Sequence, residues 1–272
     1  MHIGDIDPLR DFFFIAGPCL VEGEDMIMET ARHLAGFSRE LDVPLILKGS
    51  FKKANRTSDT SPMTIGERTA LELLSAAGRE HGLMTLTDIH TEQDAALAAE
   101  YVDVLQIPAF LCRQTELIRA AAATGKAVNI KKGQFLAPED MVHPVRKAQR
   151  AGADCVMVCE RGTTFGYHNL VVDMRGLVQM REFGVPVIFD ATHSTQRPSA
   201  GDVSGGDRAL ALPLARAALA VGVNGVFFET HPDPQAALSD AATQIPLAEA
   251  REFMRQCKAV HALQKSLEAA HV

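Results

Sequence analysis

The chain has 272 residues, of which 47% are hydrophobic and 22% charged, so it has ample apolar material for a folded core. Its formal net charge of -7 argues against a general binder of nucleic acids or membrane surfaces, because those partners attract basic proteins. No apolar run approaches the roughly 20 residues that span a bilayer, and the N-terminal stretch MHIGDIDPLRD lacks the basic start of a signal peptide. We therefore expect a cytoplasmic protein whose five cysteines stay reduced.

Eight short apolar runs recur along the chain and alternate with segments of helical periodicity. The runs are residues 12–16, 45–47, 83–86, 104–107, 127–130, 155–158, 185–189 and 225–228. The glycines that suit left-handed caps of the helical segments are Gly82, Gly125, Gly152, Gly184 and Gly222.

Eight strands alternating with helices in about 250 residues is the count of a (β/α)₈ TIM barrel. We predict one such α/β barrel over residues 1–272, as a single catalytic domain with a short N-terminal extension. The alternative is an open doubly wound sheet, which needs a glycine-rich phosphate turn after its first strand. Gly17-Pro18-Cys19 is not such a turn.

Nearly every predicted strand ends in a polar residue. In chain order these residues are Cys19, Lys48, Asp88, Gln106, Lys131, Glu160 with Arg161, Asp190 followed by His193, and Glu229. Active sites of TIM barrels lie at the C-terminal ends of the strands and in the loops that follow. The pattern therefore predicts an active site at that end of the barrel.

Cationic residues form the first chemical group, which centres on the stretch LILKGSFKKANRT at residues 45–57. Four cations fall within residues 48–56, although the whole chain has 34 acidic residues against 27 Lys and Arg. Such a cluster suits a phosphate or a carboxylate, with a solvated basic loop as the alternative. The group comprises Lys48, Lys53, Asn55, Arg56, Lys131 and Arg161, with Lys132 and Arg113 as further candidates. Cations that converge on one barrel mouth predict more than one anionic group in the ligands.

Metal-ligating side chains form the second group. A thiolate, an imidazole and two carboxylates suit Zn²⁺ or Fe²⁺, and the candidates are Cys19, His193, Glu229 and Asp240. No local metal motif supports the set, and each residue alone also suits an ordinary structural role. Their joint placement favours a shared site, because the first, seventh and eighth strands are neighbours once the barrel closes.

Several segments together resemble one enzyme family. They read LKGSFKKANRTS, LQIPAFLCRQT, VNIKKGQF, RGTTFGYHNLVVDM, VIFDATHS, FFETHPDP and ALSDAATQIPL. From about residue 14 to residue 247 the chain is similar, in collinear order, to the 3-deoxy-D-manno-octulosonate 8-phosphate (KDO 8-phosphate) synthases. The resemblance implies a TIM-barrel homotetramer that condenses phosphoenolpyruvate with D-arabinose 5-phosphate and releases inorganic phosphate.

The resemblance also implies roles for individual residues. Those implied to hold phosphoenolpyruvate are Lys48, Lys53, Lys131 and Arg161. Those implied to hold the sugar phosphate are Asn55, Arg56 and Thr57, with Ser50 nearby and Arg113 reaching the site of a neighbouring subunit. Asp88 and Gln106 complete the substrate-binding set, and the catalytic candidates are Lys131, His193, Asp240 and Cys19.

Two classes of this family are expected to differ at Cys19 and Gly133, where the metal-independent class has Asn and Pro. Both residues and the run SDAATQ at 239–244 resemble the metal-dependent class. The implied ligands of zinc, iron or manganese are Cys19, His193, Glu229 and Asp240. Lys52 departs from the pattern, because the family is expected to have Asp there.

Three alternatives stay open at this point. The related 3-deoxy-D-arabino-heptulosonate 7-phosphate synthases use erythrose 4-phosphate and have Lys-Pro-Arg-Thr where Ala54-Asn55-Arg56-Thr57 stands here, so the asparagine favours the five-carbon sugar. A metal-dependent aldolase or hydrolase would not need the cations on the second, fifth and sixth strands. A non-catalytic phosphosugar-binding protein would leave the candidate metal ligands without a role.

The loop after the seventh strand, residues 194–206, contains three glycines and almost no apolar side chain. Loops on this face commonly cover TIM-barrel sites, and glycines let the backbone open and close. We expect a lid that moves Arg197 toward the bound anions, with a loop of no catalytic role as the alternative. Asp207 is expected to cap the helix that follows.

Overall fold

The computed structural model describes residues 2–53, 64–197 and 205–270. Eight parallel strands form a closed barrel, because each pairs with the next and the last pairs with the first. They are β1 (Phe13–Gly17), β2 (Leu45–Lys48), β3 (Met84–Asp88), β4 (Val104–Ile107), β5 (Ala127–Lys131), β6 (Val156–Glu160), β7 (Val187–Asp190) and β8 (Gly225–His231). The predicted (β/α)₈ barrel is confirmed, and the closure of the sheet excludes the open doubly wound alternative.

A helix follows each strand. The helices are α1 (Glu24–Leu41), α2 (Glu67–His81), α3 (Glu92–Ala98), α4 (Thr115–Ala123), α5 (Val142–Arg150), α6 (Met174–Arg181), α7 (Ala211–Val221) and α8 (Leu247–Ala269). All five glycines predicted as caps have positive φ, and Gly82 and Gly222 are the left-handed C-caps of α2 and α7. Among the described residues, no helix combines the length and the apolar character needed to cross a bilayer.

Side chains alternate along the strands and form two apolar layers. Ile15 and Phe227 belong to the cluster inside the barrel, whereas their neighbours Phe14 and Phe228 belong to the cluster between strands and helices. All four are fully buried, as expected for parallel strands that are covered on both faces.

The segment before β1 contributes to the inner cluster. Ile3 and Ile6 are 3% and 6% exposed, and their backbones bridge each other. Both belong to the cluster inside the barrel, against which Met84 at the start of β3 also packs. The predicted N-terminal extension therefore packs into the barrel at its N-terminal end.

Gly17 allows the C-terminal ends of β1 and β2 to approach closely. Its φ of +155° is rarely adopted by residues with a side chain, and a Cβ there would lie 1.9 Å from the carbonyl oxygen of Lys48. Because the obstructing atom is part of the backbone, it cannot move without disturbing the pairing of the two strands.

We predict that Gly17→Ala lowers the free energy of unfolding by at least about 2 kcal/mol, measured by chemical denaturation. The control is Gly36→Ala, since Gly36 lies inside α1 and nothing stands within 4 Å of an added Cβ. That change should stabilise the protein by about 0.5–1 kcal/mol, because alanine favours a helix more than glycine does. Equal effects of the two substitutions would contradict the steric explanation.

Candidate active site at the barrel mouth

The site begins where the apolar interior of the barrel ends. Ile188 and Phe227 are the last apolar side chains inside β7 and β8, and two residues further stand Asp190 and Glu229. Because side chains alternate along a strand, these polar groups also point into the barrel. The predicted residues that the structure brings to this mouth are Cys19, Lys48, Ser50, Lys53, Asp88, Gln106, Lys131, Arg161, His193, Glu229 and Asp240.

A pocket opens in the mouth, and three cations from the predicted group line it. These are Lys53, Lys131 and Arg161, and the rings of His90 and His193 stand beside them. Arg161 is only 5% exposed, and its Nη1 is buried without a partner among the described residues. A buried guanidinium nitrogen of this kind offers a strong hydrogen-bond donor to an anion.

Lys131 and His193 share one buried carboxylate. Asp190 Oδ2 accepts from Lys131 Nζ at 2.7 Å and lies 2.8 Å from His193 Nδ1. Burial alone would raise the pKa of Asp190, but His193 and Lys131 outweigh it and hold the pKa below its ordinary value. Burial likewise opposes the charge of Lys131, yet Asp190 and other acids raise the pKa of Lys131 above its usual value. Lys131 therefore stays protonated at the edge of the pocket.

Three of the predicted metal ligands lie together. One ligand atom from each of Cys19, Glu229 and Asp240 lies within 4.8 Å of the others, and Cys19 Sγ donates to Asp240 Oδ2 at 3.1 Å. Glu229 Oε1 accepts from Lys48 Nζ at 2.6 Å, whereas Oε2 is buried without a partner among the described residues. His193 stands next to this group, with its Nε2 at 3.6 Å from Glu229 Oε1.

These side chains fit a divalent cation. A buried carboxylate oxygen without a partner is costly, so the free oxygen of Glu229 favours a bound cation. Burial would raise the pKa of Glu229, but Lys48 and His193 outweigh it and lower the pKa to about 2, which keeps the group anionic. Burial, aided by Glu229, raises the pKa of the Cys19 thiol well above its ordinary value. Ligation by Cys19 therefore requires a metal that displaces the thiol proton.

A glutamine amide holds the loop of Asp240 against the end of β1. Gln244 Oε1 accepts from the Cys19 backbone N–H at 3.2 Å, and Gln244 Nε2 donates to the Ser239 carbonyl at 2.8 Å. Asp240 itself has a left-handed φ of 49°, a conformation that Asp adopts more readily than most residues. The backbone thus fixes the direction of its carboxylate.

Gln196 connects the predicted metal ligands to the cation-lined pocket. Its Nε2 donates to Asp240 Oδ1 at 3.1 Å, and its Oε1 accepts from Arg161 Nη2 at 2.5 Å. Gln196–Arg197 also pairs antiparallel with Gly205–Gly206 at the base of the predicted lid. Residues 198–204 lie outside the described ranges, so the lid stays a prediction.

A second network lies on β3 and the loop after β2. Ser50 Oγ donates to Asp88 Oδ2 at 2.6 Å and accepts from Lys53 Nζ at 3.0 Å. Gln106 Nε2 donates to the other oxygen of Asp88 at 2.7 Å. Although burial opposes ionisation, Lys48 and Lys53 hold the pKa of Asp88 below its ordinary value. The carboxylate therefore stays charged and fixes the side of the pocket that Lys53 occupies.

Comparisons with known proteins identify the family of this chain. The model of the DAHP synthetase I family matches residues 4–266. The 2-dehydro-3-deoxyphosphooctonate aldolase of Variovorax paradoxus (strain S110) is 52% identical, covering 96% of this chain and 94% of its own. The proteins of the same name from Dichelobacter nodosus (strain VCS1703A) and Aromatoleum aromaticum are 51% and 52% identical. They cover 97% and 94% of this chain, and 96% and 93% of their own lengths.

The chain belongs to the 2-dehydro-3-deoxyphosphooctonate aldolases, the KDO 8-phosphate synthases. The family resemblance of the sequence motifs is thereby confirmed. The broader family model by itself does not separate this group from the related heptulosonate synthases, whereas the relatives above all carry the octulosonate name.

Lys48 of this KDO 8-phosphate synthase lies beneath the pocket rather than in its lining. Its Nζ donates to the carbonyls of Pro18 and Cys19 at 3.1 and 2.9 Å and to Glu229 at 2.6 Å. An ammonium group has three protons, so all its donors are in use. Contact with phosphoenolpyruvate would require one of these bonds to be exchanged.

Lys132 is not at the mouth. Neighbours on a strand point to opposite sides, so Lys132 is buried on the outer face of the barrel, where its Nζ lies 3.5 Å from Glu160 Oε1. Arg113 is exposed and lines a separate surface cleft with His143 and Lys147. Its predicted contact with a neighbouring subunit stays a prediction, as do the roles of Asn55, Arg56 and Thr57, which lie outside the described residues.

Besides Gln196 and Gln244, two residues that were not selected from the sequence lie in the site. Asp190 was recognised as a strand end, but its bonds to Lys131 and His193 depend on the closed barrel. His90 lines the pocket, and a signal was present because it stands two residues beyond Asp88 and so faces the same side.

We predict that Asp190→Asn destabilises the protein by about 3–5 kcal/mol at neutral pH, because it leaves Lys131 buried without its anion. Folding lowers the pKa of Asp190, so its ionised carboxylate stabilises the folded state at pH values above the ordinary carboxyl pKa. This contribution to stability is lost as the pH falls. The difference between wild type and variant should therefore shrink in acid. Asp173→Asn, at the exposed start of α6, is the control and should cost less than about 1 kcal/mol. A cost for Asp190→Asn no larger than the control would contradict the pairing.

Proposed function

We propose that this chain condenses phosphoenolpyruvate with D-arabinose 5-phosphate and water to give KDO 8-phosphate and inorganic phosphate. The observation that carries the proposal is the sequence identity to 2-dehydro-3-deoxyphosphooctonate aldolases. About half of the residues are identical along nearly the whole chain. The site agrees with this activity, because Lys53, Lys131 and Arg161 gather in one pocket beside the cluster of Cys19, Glu229 and Asp240. Two phosphorylated substrates, one of them also a carboxylate, supply the anions that such a pocket requires.

Binding of phosphoenolpyruvate is the task we assign to the pocket cations. Arg161 has a buried donor to spare and can hold a carboxylate or phosphate, while Lys53 and Lys131 neutralise the remaining charge. The sugar phosphate would then extend toward Asn55, Arg56 and Thr57, which follow Lys53 along the chain.

The reaction joins C3 of phosphoenolpyruvate to the aldehyde carbon of the sugar, water adds at C2, and phosphate leaves with cleavage of its C–O bond. The attacking water loses both protons as its oxygen becomes the C2 carbonyl: one balances the proton gained by the aldehyde oxygen, and the other leaves with the phosphate. Lys131 Nζ lies 3.3 Å from His193 Nδ1, and both contact Asp190, so the three form a connected path for protons. We assign proton transfer near the enol carbon to Lys131, and a relay to His193 and Asp240.

We place this chain in the metal-dependent class of the family. Cys19, His193, Glu229 and Asp240 would hold the ion, and the unpartnered Glu229 oxygen supports the assignment. Zinc, iron or manganese bound there would supply a Lewis acid that polarises a substrate oxygen or orients water.

Phosphate release from phosphoenolpyruvate tests the proposed substrates. Wild-type protein should turn over D-arabinose 5-phosphate with a kcat/KM about 10- to 150-fold above that for erythrose 4-phosphate, since the shorter sugar forfeits a charge-assisted contact at one end. A preference for erythrose 4-phosphate would favour the heptulosonate reaction that the broader family model leaves open. No release with either sugar would reject the synthase.

Removal of metal is the second test. We expect EDTA to abolish activity and Zn²⁺, Fe²⁺ or Mn²⁺ to restore it. Cys19→Asn should lower the metal content measured by elemental analysis, because an amide is a poor ligand. Cys257→Ser is the matched control, since this buried thiol lies on α8 away from the mouth. Full activity in chelator, or an unchanged metal content in Cys19→Asn, would contradict the assignment.

A homotetramer is also proposed, and exposed aromatic rings support an interface. Phe110, Phe135, Phe165 and Tyr167 are 57%, 54%, 67% and 77% exposed on the loops that follow β4, β5 and β6. Large exposed apolar side chains on adjoining loops are typical of protein–protein contacts. The proposed contact of Arg113 with a neighbouring site belongs to this arrangement.

The cytoplasmic location stays a prediction from the sequence.

We predict a solution mass of four chains by light scattering. The double substitution Phe165→Ser/Tyr167→Ser should shift the protein toward smaller species, because it removes apolar area from the proposed interface. Leu263→Ser on α8, where the leucine is 60% exposed, should leave the mass unchanged. A wild-type monomer, or a double variant that remains fully tetrameric, would contradict this interface.

A further inference from the structure

Lys52 stands outside the pocket but ties together two loops that form it. Its Nζ donates to Asp94 Oδ1 at 2.6 Å and to Glu67 Oε1 at 3.0 Å. The Lys52 side chain is 16% exposed and that of Asp94 only 5%, so the inner contact is largely shielded from water. Glu67 begins α2 and Asp94 lies in the first turn of α3, which means that one ammonium joins the loop after β2 to two helices.

Asp94 also forms hydrogen bonds with the backbone at His90. Its Oδ2 accepts from the backbone N–H groups of His90 and Thr91 at 3.0 and 3.1 Å. Thr91 Oγ1 in turn accepts from the Asp94 N–H at 3.1 Å, which completes a capping box at the start of α3. The backbone that carries the His90 ring into the pocket is therefore fixed by the carboxylate that Lys52 holds.

The position of Lys53 depends on Lys52 through the backbone. It follows Lys52 directly, lines the pocket and donates to Ser50 Oγ at 3.0 Å. Ser50 then donates to Asp88 Oδ2 at 2.6 Å. The loops after β2 and β3 are thus joined twice, by Ser50 and Asp88 on the pocket side and by Lys52 and Asp94 on the outer side.

We propose that Lys52 is a positioning residue that sets the places of Lys53 and His90 in the pocket through its bond to Asp94. The consequence for phosphoenolpyruvate rests on the proposed function, whereas the effect on the two loops does not. The departure from the Asp expected in this family has a physical reason here. An aspartate at position 52 would face Asp94 and Glu67 and be repelled by both. Lys52, Glu67 and Asp94 are therefore complementary in charge, and we call these three residues the matched set.

Lys52→Met is the central test, because it replaces the aliphatic stem with one of similar size and removes the terminal ammonium. The KM for phosphoenolpyruvate should rise about 5- to 30-fold, which is less than the roughly 10- to 150-fold expected for loss of a direct charge-assisted contact, because Lys52 acts on the ligand only through Lys53 and His90. The value of kcat should change less than about threefold, since the groups in contact with the reacting atoms remain. Lys52→Arg should retain a KM near that of wild type, because its guanidinium can still reach both acids.

Lys258→Met is the matched control. Lys258 is also half-buried, and its Nζ donates to the Leu41 carbonyl at the end of α1, at the opposite end of the barrel from the mouth. Loss of a lysine that has only a structural role should lower the melting temperature without changing KM. We expect this result for Lys258→Met and not for Lys52→Met. An unchanged KM in Lys52→Met, an equal rise in Lys258→Met, or failure of Lys52→Arg to rescue would overturn the proposal.

Charge reversal tests the matched set. Lys52→Asp should raise KM more than Lys52→Met, because it adds repulsion to the lost contact. Adding Glu67→Lys restores one opposite charge beside position 52 and should recover part of the loss. A Lys52→Asp variant no worse than Lys52→Met would show that the charge at this position is irrelevant and would reject the proposal.

The ring of His90 gives a readout that does not require turnover. Burial lowers the pKa of His90, Asp88 and Asp94 act to raise it, and Lys53 and Lys52 act to lower it. Lys52→Met should therefore raise the pKa of His90 in an NMR titration, and Lys258→Met should not. If wild type releases no phosphate with either sugar, the proposed function fails, and this titration still tests the link between Lys52 and His90. An unshifted His90 signal would overturn it.

Discussion

A charge that is buried in a barrel must meet an opposite charge, and the mouth of this barrel is built on that requirement. Lys48 pairs with Glu229 across β2 and β8, and Lys131 pairs with Asp190 across β5 and β7. Removing one member of such a pair leaves an uncompensated charge and costs about 3–5 kcal/mol. Each pair nevertheless leaves a polar group for a ligand. Glu229 keeps one oxygen that has no partner in the described part of the chain, and Lys131 stands in the pocket lining.

The sharing of carboxylates makes the two halves of the site interdependent. A cation held by Glu229 would approach Lys48, which donates to the other oxygen of the same carboxylate. The repulsion between two cations falls when anions bind nearby, so anionic substrates and a cation at the proposed metal site would favour each other's binding. Gln196 adds a mechanical link, because one amide contacts both Asp240 and Arg161.

Sequence patterns were sufficient for the barrel and for the gathering of polar strand-end residues at its mouth, because both follow from periodicity. The apolar runs marked the strands, and the polar residue at the end of each run marked the mouth. The partner of each charge could not be predicted, since Lys131 and Asp190 are 59 residues apart and meet only when the barrel closes. Lys132 was predicted to join the pocket cations because the group was chosen by charge. That choice takes no account of the alternation by which adjacent side chains point to opposite faces of a strand. The salt bridges of Lys52 were likewise invisible, because Glu67 and Asp94 lie on two different helices.

The left-handed backbone of Asp240 limits how this site can be redesigned. Apart from glycine, few residues accept such a φ, and β-branched or bulky side chains are poorly tolerated there. Exchange of Asp240 for a β-branched or bulky residue would therefore strain the loop, whereas Cys19 and Glu229 lie on or beside regular strands and carry no such restriction. Evolutionary substitution in this cluster should therefore be freer at Cys19 than at Asp240.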